Sequence, residues 1–302
     1  MKVKDGICGL VVGDALGVPV EFCRRETLEA DPVKGMRGYG TYQQPPGTWS
    51  DDTSMTLATM HSIIKKQKID YKDMMDRFCD WLFEDKYCQE HVFDHGITTY
   101  EGIRRYKIGV NPIKCGGRDE RSNGNGSLMR ILPLAYIPNI DYETVENISS
   151  LTHGHKRSGI ACALYVEIAR SMLENDLTIN EHINNSCAKI QNYYDDNDEL
   201  KHFQRIFDDS LSDDNVSNKG YVISTLEVVL HCLKTTGNYR DAVLKAVNFG
   251  GDTDTNAAIC GGLAGIYYGF DEIPIGWIEK IRKIGKVIKL CERYEGVIDE
   301  YF

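Results

Sequence analysis

The chain has 302 residues, 42% of them hydrophobic, and a formal net charge of −10. That supplies enough apolar material for one large buried core, and the negative charge excludes bulk attraction to a nucleic-acid backbone or an anionic membrane surface, both of which need a positive face. Ten Cys without a C-x-x-C pair, no visible secretory leader and no apolar run near the ~20 residues of a membrane span read as a reduced cytoplasmic chain, with neither a disulfide framework nor a zinc ribbon.

Nearly every apolar run has helical spacing, so the chain reads as all-α, one domain over 1–302. The first predicted helix puts Ile7, Leu10, Val11 and Asp14 on one face, so an acid interrupts the apolar stripe near its end. It is expected to stop near Gly17, with Glu21 following Pro19 in an extended link. Residues 31–48 hold four Gly and three Pro and form a long loop. Next comes Trp49-Ser50-Asp51-Asp52-Thr53-Ser54, at the head of a helical run marked by Met55, Ala58, Thr59, Ser62 and Ile63. Capping that helix needs one Ser or Asp. Two adjacent carboxylates repel each other unless a cation lies between them.

Residues 112–127 form a second Gly-rich loop, ending in Ser122-Asn123-Gly124-Asn125-Gly126-Ser127 ahead of Leu128-Met129-Arg130. Consecutive N–H groups in such a turn can cradle phosphate oxygens, although a plain turn has the same composition. Thr152-His153-Gly154-His155 marks a polar helix terminus whose imidazole can stack on a base or bond a phosphate. Helical runs follow over 160–173, 222–233 and 257–267, and the polar stretch 195–219, with Asp195-Asp196 and Asp213-Asp214, reads as a solvated surface connection. The last motif, Gly250-Gly251-Asp252-Thr253-Asp254-Thr255-Asn256, opens the final run. Asp252 and Asp254 do not share a helix face and converge only in a loop or first turn, which two Gly permit.

Taken alone, the first acidic motif reads better as a helix cap and the second as well one way as the other. Together they offer four carboxylates and two hydroxyls, the oxygen ligands that hard divalent cations take. No His stands beside either cluster, which argues against zinc. The runs after Met55 and Ala257 are expected to pack side by side.

Taken in order, Gly13-Asp14-Ala15-Leu16-Gly17-Val18-Pro19-Val20-Glu21, Ser50-Asp51-Asp52-Thr53-Ser54-Met55, Asn125-Gly126-Ser127-Leu128-Met129-Arg130, Thr152-His153 and Gly250-Gly251-Asp252-Thr253-Asp254-Thr255 resemble the motifs of the ADP-ribosylglycohydrolase family. The resemblance implies an orthogonal multi-helix bundle with two Mg²⁺ or Mn²⁺ ions in a central cleft. It implies metal ligation by Ser50, where many members carry Thr, and by Asp51, Asp52, Asp252, Asp254 and Thr255. Glu21 matches an acid near the metals and is expected to orient a water or move a proton, not to serve as a principal ligand. Asn123, Gly124, Asn125, Gly126 and Ser127 would hold a diphosphate, and His153 would lie near the diphosphate or adenosine. Asp94-His95-Gly96-Ile97-Thr98 resembles the Asp-x-Gly-x-Thr segment of the dinitrogenase reductase-activating members, which implies a catalytic place for Asp94 beside the substrate's arginine. The implied partner is an ADP-ribosylated protein acted on by a monomer, with ADP-ribose released. Serine-linked ADP-ribose, O-acetyl-ADP-ribose, two-metal phosphohydrolysis and non-catalytic ADP-ribose binding remain alternatives at this point.

Overall fold

The computed structural model describes residues 3–302, and among these no strand forms. The helices, in chain order, are α1 (Val3–Gly17), α2 (Arg25–Ala30), α3 (Asp51–Lys66), α4 (Tyr71–Glu84), α5 (Ile97–Lys107), α6 (Tyr142–Ser149) and α7 (Lys156–Glu174). The second half holds α8 (Ile179–Tyr193), α9 (Gln204–Phe207), α10 (Val222–Lys234), α11 (Tyr239–Asn248), α12 (Thr253–Tyr268), α13 (Ile275–Ile278) and α14 (Ile284–Tyr301). The all-α architecture is therefore as expected, and both Gly-rich loops stay free of α-helix over 31–48 and 112–127.

Two helices form the centre. All of α1 is buried except Lys4 and Asp5, and all of α12 except Tyr267 and Tyr268. A helix that is apolar on every side has no solvent face to offer and must be enclosed. The two lie against each other along their length because glycines line the contact. A Cβ on Gly9 would stand 2.2 Å from the Gly261 carbonyl oxygen, and one on Gly13 would stand 2.0 Å from that of Ala257. Gly17 meets the Asp254 Cα with the same tightness, at 2.3 Å. Tyr239 donates to the Gly9 carbonyl at 2.8 Å and Tyr165 to that of Ile259 at 3.0 Å, so α11 and α7 brace the pair from either side.

The expected pairing of α3 with α12 is corrected by this arrangement. The principal partner of α12 is α1, and α3 meets α12 only lightly, with Asp52 and Thr255 in contact at their N-terminal ends. Only a glycine-lined helix can approach α12 so closely, and α3 has no glycine. A second correction concerns the link after α1. Residues Val18–Val20 form a 3₁₀ turn, and Glu21 leaves it with φ −54° and ψ 142°. Proline at the head of a helical turn forfeits no hydrogen bond, so the turn tightens where an extended link was expected.

Candidate functional site

Three helix ends converge on one cluster of acids. The C-terminal end of α1 brings Asp14, and the turn after it brings Glu21. Asp51 and Asp52 begin α3, and Asp252 and Asp254 begin α12. The positive ends of the α3 and α12 dipoles thus point at the carboxylates, which partly offsets their gathering. Gly250 and Gly251 make the bend into α12 with φ of 74° and 71°. A Cβ on Gly251 would also stand 2.2 Å from the Asn218 carbonyl oxygen, so this position needs glycine twice over.

The carboxylate oxygens fall into two groups that share Asp254. Ligand atoms of Asp14, Asp52 and Asp254 lie within 4.8 Å of one another, and so do those of Glu21, Asp252 and Asp254. Ser50 donates to Asp52 Oδ2 at 2.8 Å, and Thr255 donates to the same oxygen at 3.3 Å. Asp52 Oδ1, Asp254 Oδ2 and Glu21 Oε2 are buried without any hydrogen-bond partner. Buried carboxylate oxygens are ordinarily satisfied, so orphans from three different acids meeting in one place fit a cation. Burial, reinforced by mutual repulsion, pushes the carboxyls of Asp51, Asp52 and Asp254 well above their ordinary range and that of Glu21 up to about 8. Bound divalent charge would reverse that shift. These acidic residues can hold a metal.

Asp14 reads from the sequence as a break in an apolar stripe and a member of the first motif, without a ligand role, and it turns out to face the cluster. Its oxygens accept from the N–H of Ser50 at 2.9 and 3.1 Å, from the N–H of Thr53 at 3.0 Å and from the Thr53 hydroxyl at 2.6 Å. It thereby holds the head of α3 from across the core. Burial outweighs these bonds and raises its pKa to about 6. Glu21, expected to stand apart from the ligand set, joins the second group. Asp51 is buried yet belongs to neither group, and it lines the adjoining cleft.

That cleft has a volume of about 330 Å³ and opens directly off the acids. Asp51, Asp94 and Asp252 line it with Gly124, Asn125 and His153. Desolvation raises the Asp94 carboxyl above its ordinary value, and hydrogen bonding with Tyr42 works the other way. The same hydroxyl is within reach of Glu21, so Tyr42 can donate its one proton to either of the two acids that face the cleft. Asn125 donates to Asp252 Oδ2 at 2.8 Å and to Thr225 at 2.9 Å, and its own N–H goes to the Gly220 carbonyl at 3.1 Å. That N–H is therefore not free to cradle a ligand.

Asn123 and Ser127 do not line the cleft. Asn123 Oδ1 accepts from Ser158, and Ser127 accepts from Ser149 and contacts Cys162, so both side chains fasten the loop to α7 from beneath. The stretch 195–219 is also more than a surface connection. Its end reaches the site, where the Asn218 carbonyl accepts from Asp252 N–H at 3.0 Å and the Asn218 side chain donates to Phe249 O at 2.8 Å. No periodicity marks Asn218 or Tyr42, and only the fold brings them here.

Comparison with known proteins identifies the family. The sequence profile of the ADP-ribosylglycohydrolase family matches residues 1–301. The ADP-ribosyl-dinitrogen reductase glycohydrolase of Rhodospirillum rubrum is 31% identical, the alignment covering 93% of this chain and 90% of that one. The ADP-ribosylarginine hydrolase Tri1 of Serratia proteamaculans is 28% identical over 97% of this chain and 78% of its own length. A solved structure described as an ADP-ribosylglycohydrolase-related protein complex superposes with a TM-score of 0.83 at 29% identity, covering 98% of both chains. A chain that matches the profile from end to end, and that carries its acids at three converging helix ends, belongs to the ADP-ribosylglycohydrolase family of enzymes.

Proposed function

We propose that this enzyme hydrolyses the glycosidic bond between ADP-ribose and an arginine side chain of a modified protein. The observation that carries the reading is the position of Asp94. Its carboxylate lines the cleft beside the acid cluster, where a departing guanidinium would meet an opposite charge. The Serratia relative is named an ADP-ribosylarginine hydrolase, and the name of the Rhodospirillum relative gives ADP-ribose on a protein as what it acts on.

In this reading Asp52, Asp252 and Asp254 hold two divalent ions, Mg²⁺ or Mn²⁺, with Ser50 and Thr255 beside Asp52, Asp51 as an outer partner, and Glu21 at the edge of the second group. Such ions, when bound, supply positive charge that orients vicinal hydroxyls and lowers the pKa of water. The chain's own groups do the rest. Glu21 takes a proton from the attacking water, whose oxygen bonds to the anomeric carbon as the carbon–nitrogen bond breaks. Asp94 stabilises the leaving group, which departs from the guanidinium as a neutral guanidine and then takes up the proton that Glu21 removed from the water. The loop of Asn123, Gly124, Asn125, Gly126 and Ser127 frames the diphosphate, with Asn123 and Ser127 acting from below, and His153 closes the cleft floor.

The test is product analysis by mass spectrometry, using defined peptides ADP-ribosylated on arginine or on serine. Free ADP-ribose with unmodified arginine peptide is expected. Faster release from the serine peptide would overturn the arginine assignment. AMP with a phosphoribosyl peptide would make the site a phosphohydrolase, and binding without turnover would make it a receptor.

A further inference from the structure

A neutral imidazole carries its proton on one of two ring nitrogens, and the choice decides whether it donates or accepts at its free edge. For His153 the choice is made by two residues behind it. Arg130 is wholly buried, with its guanidinium over the Phe78 ring at 4.8 Å and its Nη2 donating to Thr152 Oγ1 at 2.7 Å. A guanidinium can only donate, so the Thr152 oxygen is the acceptor there. The same hydroxyl stands 2.9 Å from His153 Nδ1, and Thr152 is wholly buried. Were Nδ1 protonated, both neighbours would donate into one oxygen, and the hydroxyl's own proton would be sealed in without an acceptor. The hydroxyl therefore donates to Nδ1.

The other ring nitrogen faces the cleft. Nε2 lies 3.5 Å from where a Cβ on Gly124 would stand, and Cε1 lies 2.8 Å from that position on Gly126. Glycine at 126 leaves the space that the ring edge occupies, while Gly124 lies at ordinary contact distance from Nε2. Nε2 has no protein partner among the described residues, and the nearby Thr99 hydroxyl is buried and equally unpartnered. Burial, with the Arg130 charge behind, lowers the His153 pKa to about 3 and keeps the ring uncharged.

We propose that Arg130 and Thr152 are positioning residues that lock His153 as its Nε2–H tautomer, so that the cleft offers an uncharged hydrogen-bond donor to an acceptor oxygen of the ligand. The tautomer stands on the geometry alone, and naming the ligand as ADP-ribose rests on the function proposed above. This lock joins the Arg130 end of one motif to the Thr152-His153 pair of another.

The test is nitrogen-15 NMR of the imidazoles in the full-length, ligand-free protein, with His153 assigned by its absence in His153→Asn. The expected result is an unprotonated Nδ1 and a protonated Nε2 from neutral pH to about pH 5. Thr152→Val removes the donor and should give a mixture of tautomers, whereas Thr152→Ser should restore the single form. ADP-ribose affinity by calorimetry should fall about two- to tenfold in Thr152→Val, the worth of one mispolarised hydrogen bond, and stay within about twofold in Thr152→Ser. A protonated Nδ1 in the parent protein, or a single unchanged tautomer in Thr152→Val, overturns the proposal. If Thr152→Val does not fold, the parent spectrum and Thr152→Ser still decide it. Failure to cleave arginine-linked ADP-ribose would sink the functional reading while leaving the ring's spectrum unaffected.

Discussion

Asp254 is where the two carboxylate groups meet, so it is the residue whose loss should be felt by both. Asp254→Asn is expected to abolish turnover and the tight binding of divalent ions together, measured by activity and by metal content after gel filtration. Asp51 lies outside both groups, so Asp51→Asn should reduce metal affinity by only about 10–100-fold, the usual effect of an outer partner. A loss as complete as that of Asp254→Asn would instead make Asp51 a direct ligand. Glu21 carries an orphan oxygen in the cluster and shares Tyr42 with Asp94. Glu21→Gln keeps the shape but not the base, and the rate should fall roughly 10²–10⁴-fold with ADP-ribose affinity nearly retained. Unchanged rate at saturation with weakened binding would reassign Glu21 to holding the ligand. The acids of the 51–52 and 252–254 motifs were legible because the two motifs together hold more carboxylates than capping two helices needs. Asp14 was not legible, because one acid at the end of a buried stripe has the same appearance whether it caps a distant helix or faces a solvent gap.

At the scale of elements, periodicity identified the long helices but not their neighbours. The spacing in 55–63 and 257–267 says that each has a face to bury, and says nothing about which helix covers it. The glycines at 9, 13, 17 and 261 carried that information, and it becomes readable only once the two helices are placed together. Gly13→Ala tests the contact. Its new methyl would meet the Ala257 carbonyl at 2.0 Å, so it should cost about 1–3 kcal/mol by thermal or denaturant unfolding, the range for overpacked cores. A neutral result would mean that the two helices can separate at little cost. The loop elements were harder to read. The Gly-rich stretch 123–127 was recognisable as a functional turn, yet composition could not separate Gly126, which leaves room for His153, from Asn123 and Ser127, which anchor the turn to α7.

For the whole molecule, the buried acids make stability depend on pH and on metal together. In the metal-free protein Asp14 and Glu21 titrate near 6 and 8, against ordinary values near 4. A raised carboxyl contributes stability while protonated, in full below its ordinary value, and loses it as pH rises through the raised one. The metal-free melting temperature should therefore fall from about pH 4 to pH 8, with the Asp14 share lost by about pH 6 and the Glu21 share by about pH 8, and added Mg²⁺ or Mn²⁺ should raise it more at pH 8 than at pH 6. A metal effect independent of pH in scanning calorimetry would contradict this account of the cluster. His153 works in the opposite sense, since a neutral ring held near 3 forfeits stability only as pH falls below 6.5. The close pairing of α1 with α12 also has a consequence for biosynthesis. Thr253 donates to the Gly17 carbonyl across 236 residues of chain. At ~5–20 residues per second, a ribosome needs roughly 12–50 s to supply that partner. Throughout that interval an apolar helix waits with its glycine seam uncovered, open to chaperones and to other nascent chains. Arrested translation products ending before residue 250 should accordingly stay protease-sensitive and bind no divalent ion tightly, while release of the full chain restores both properties at once.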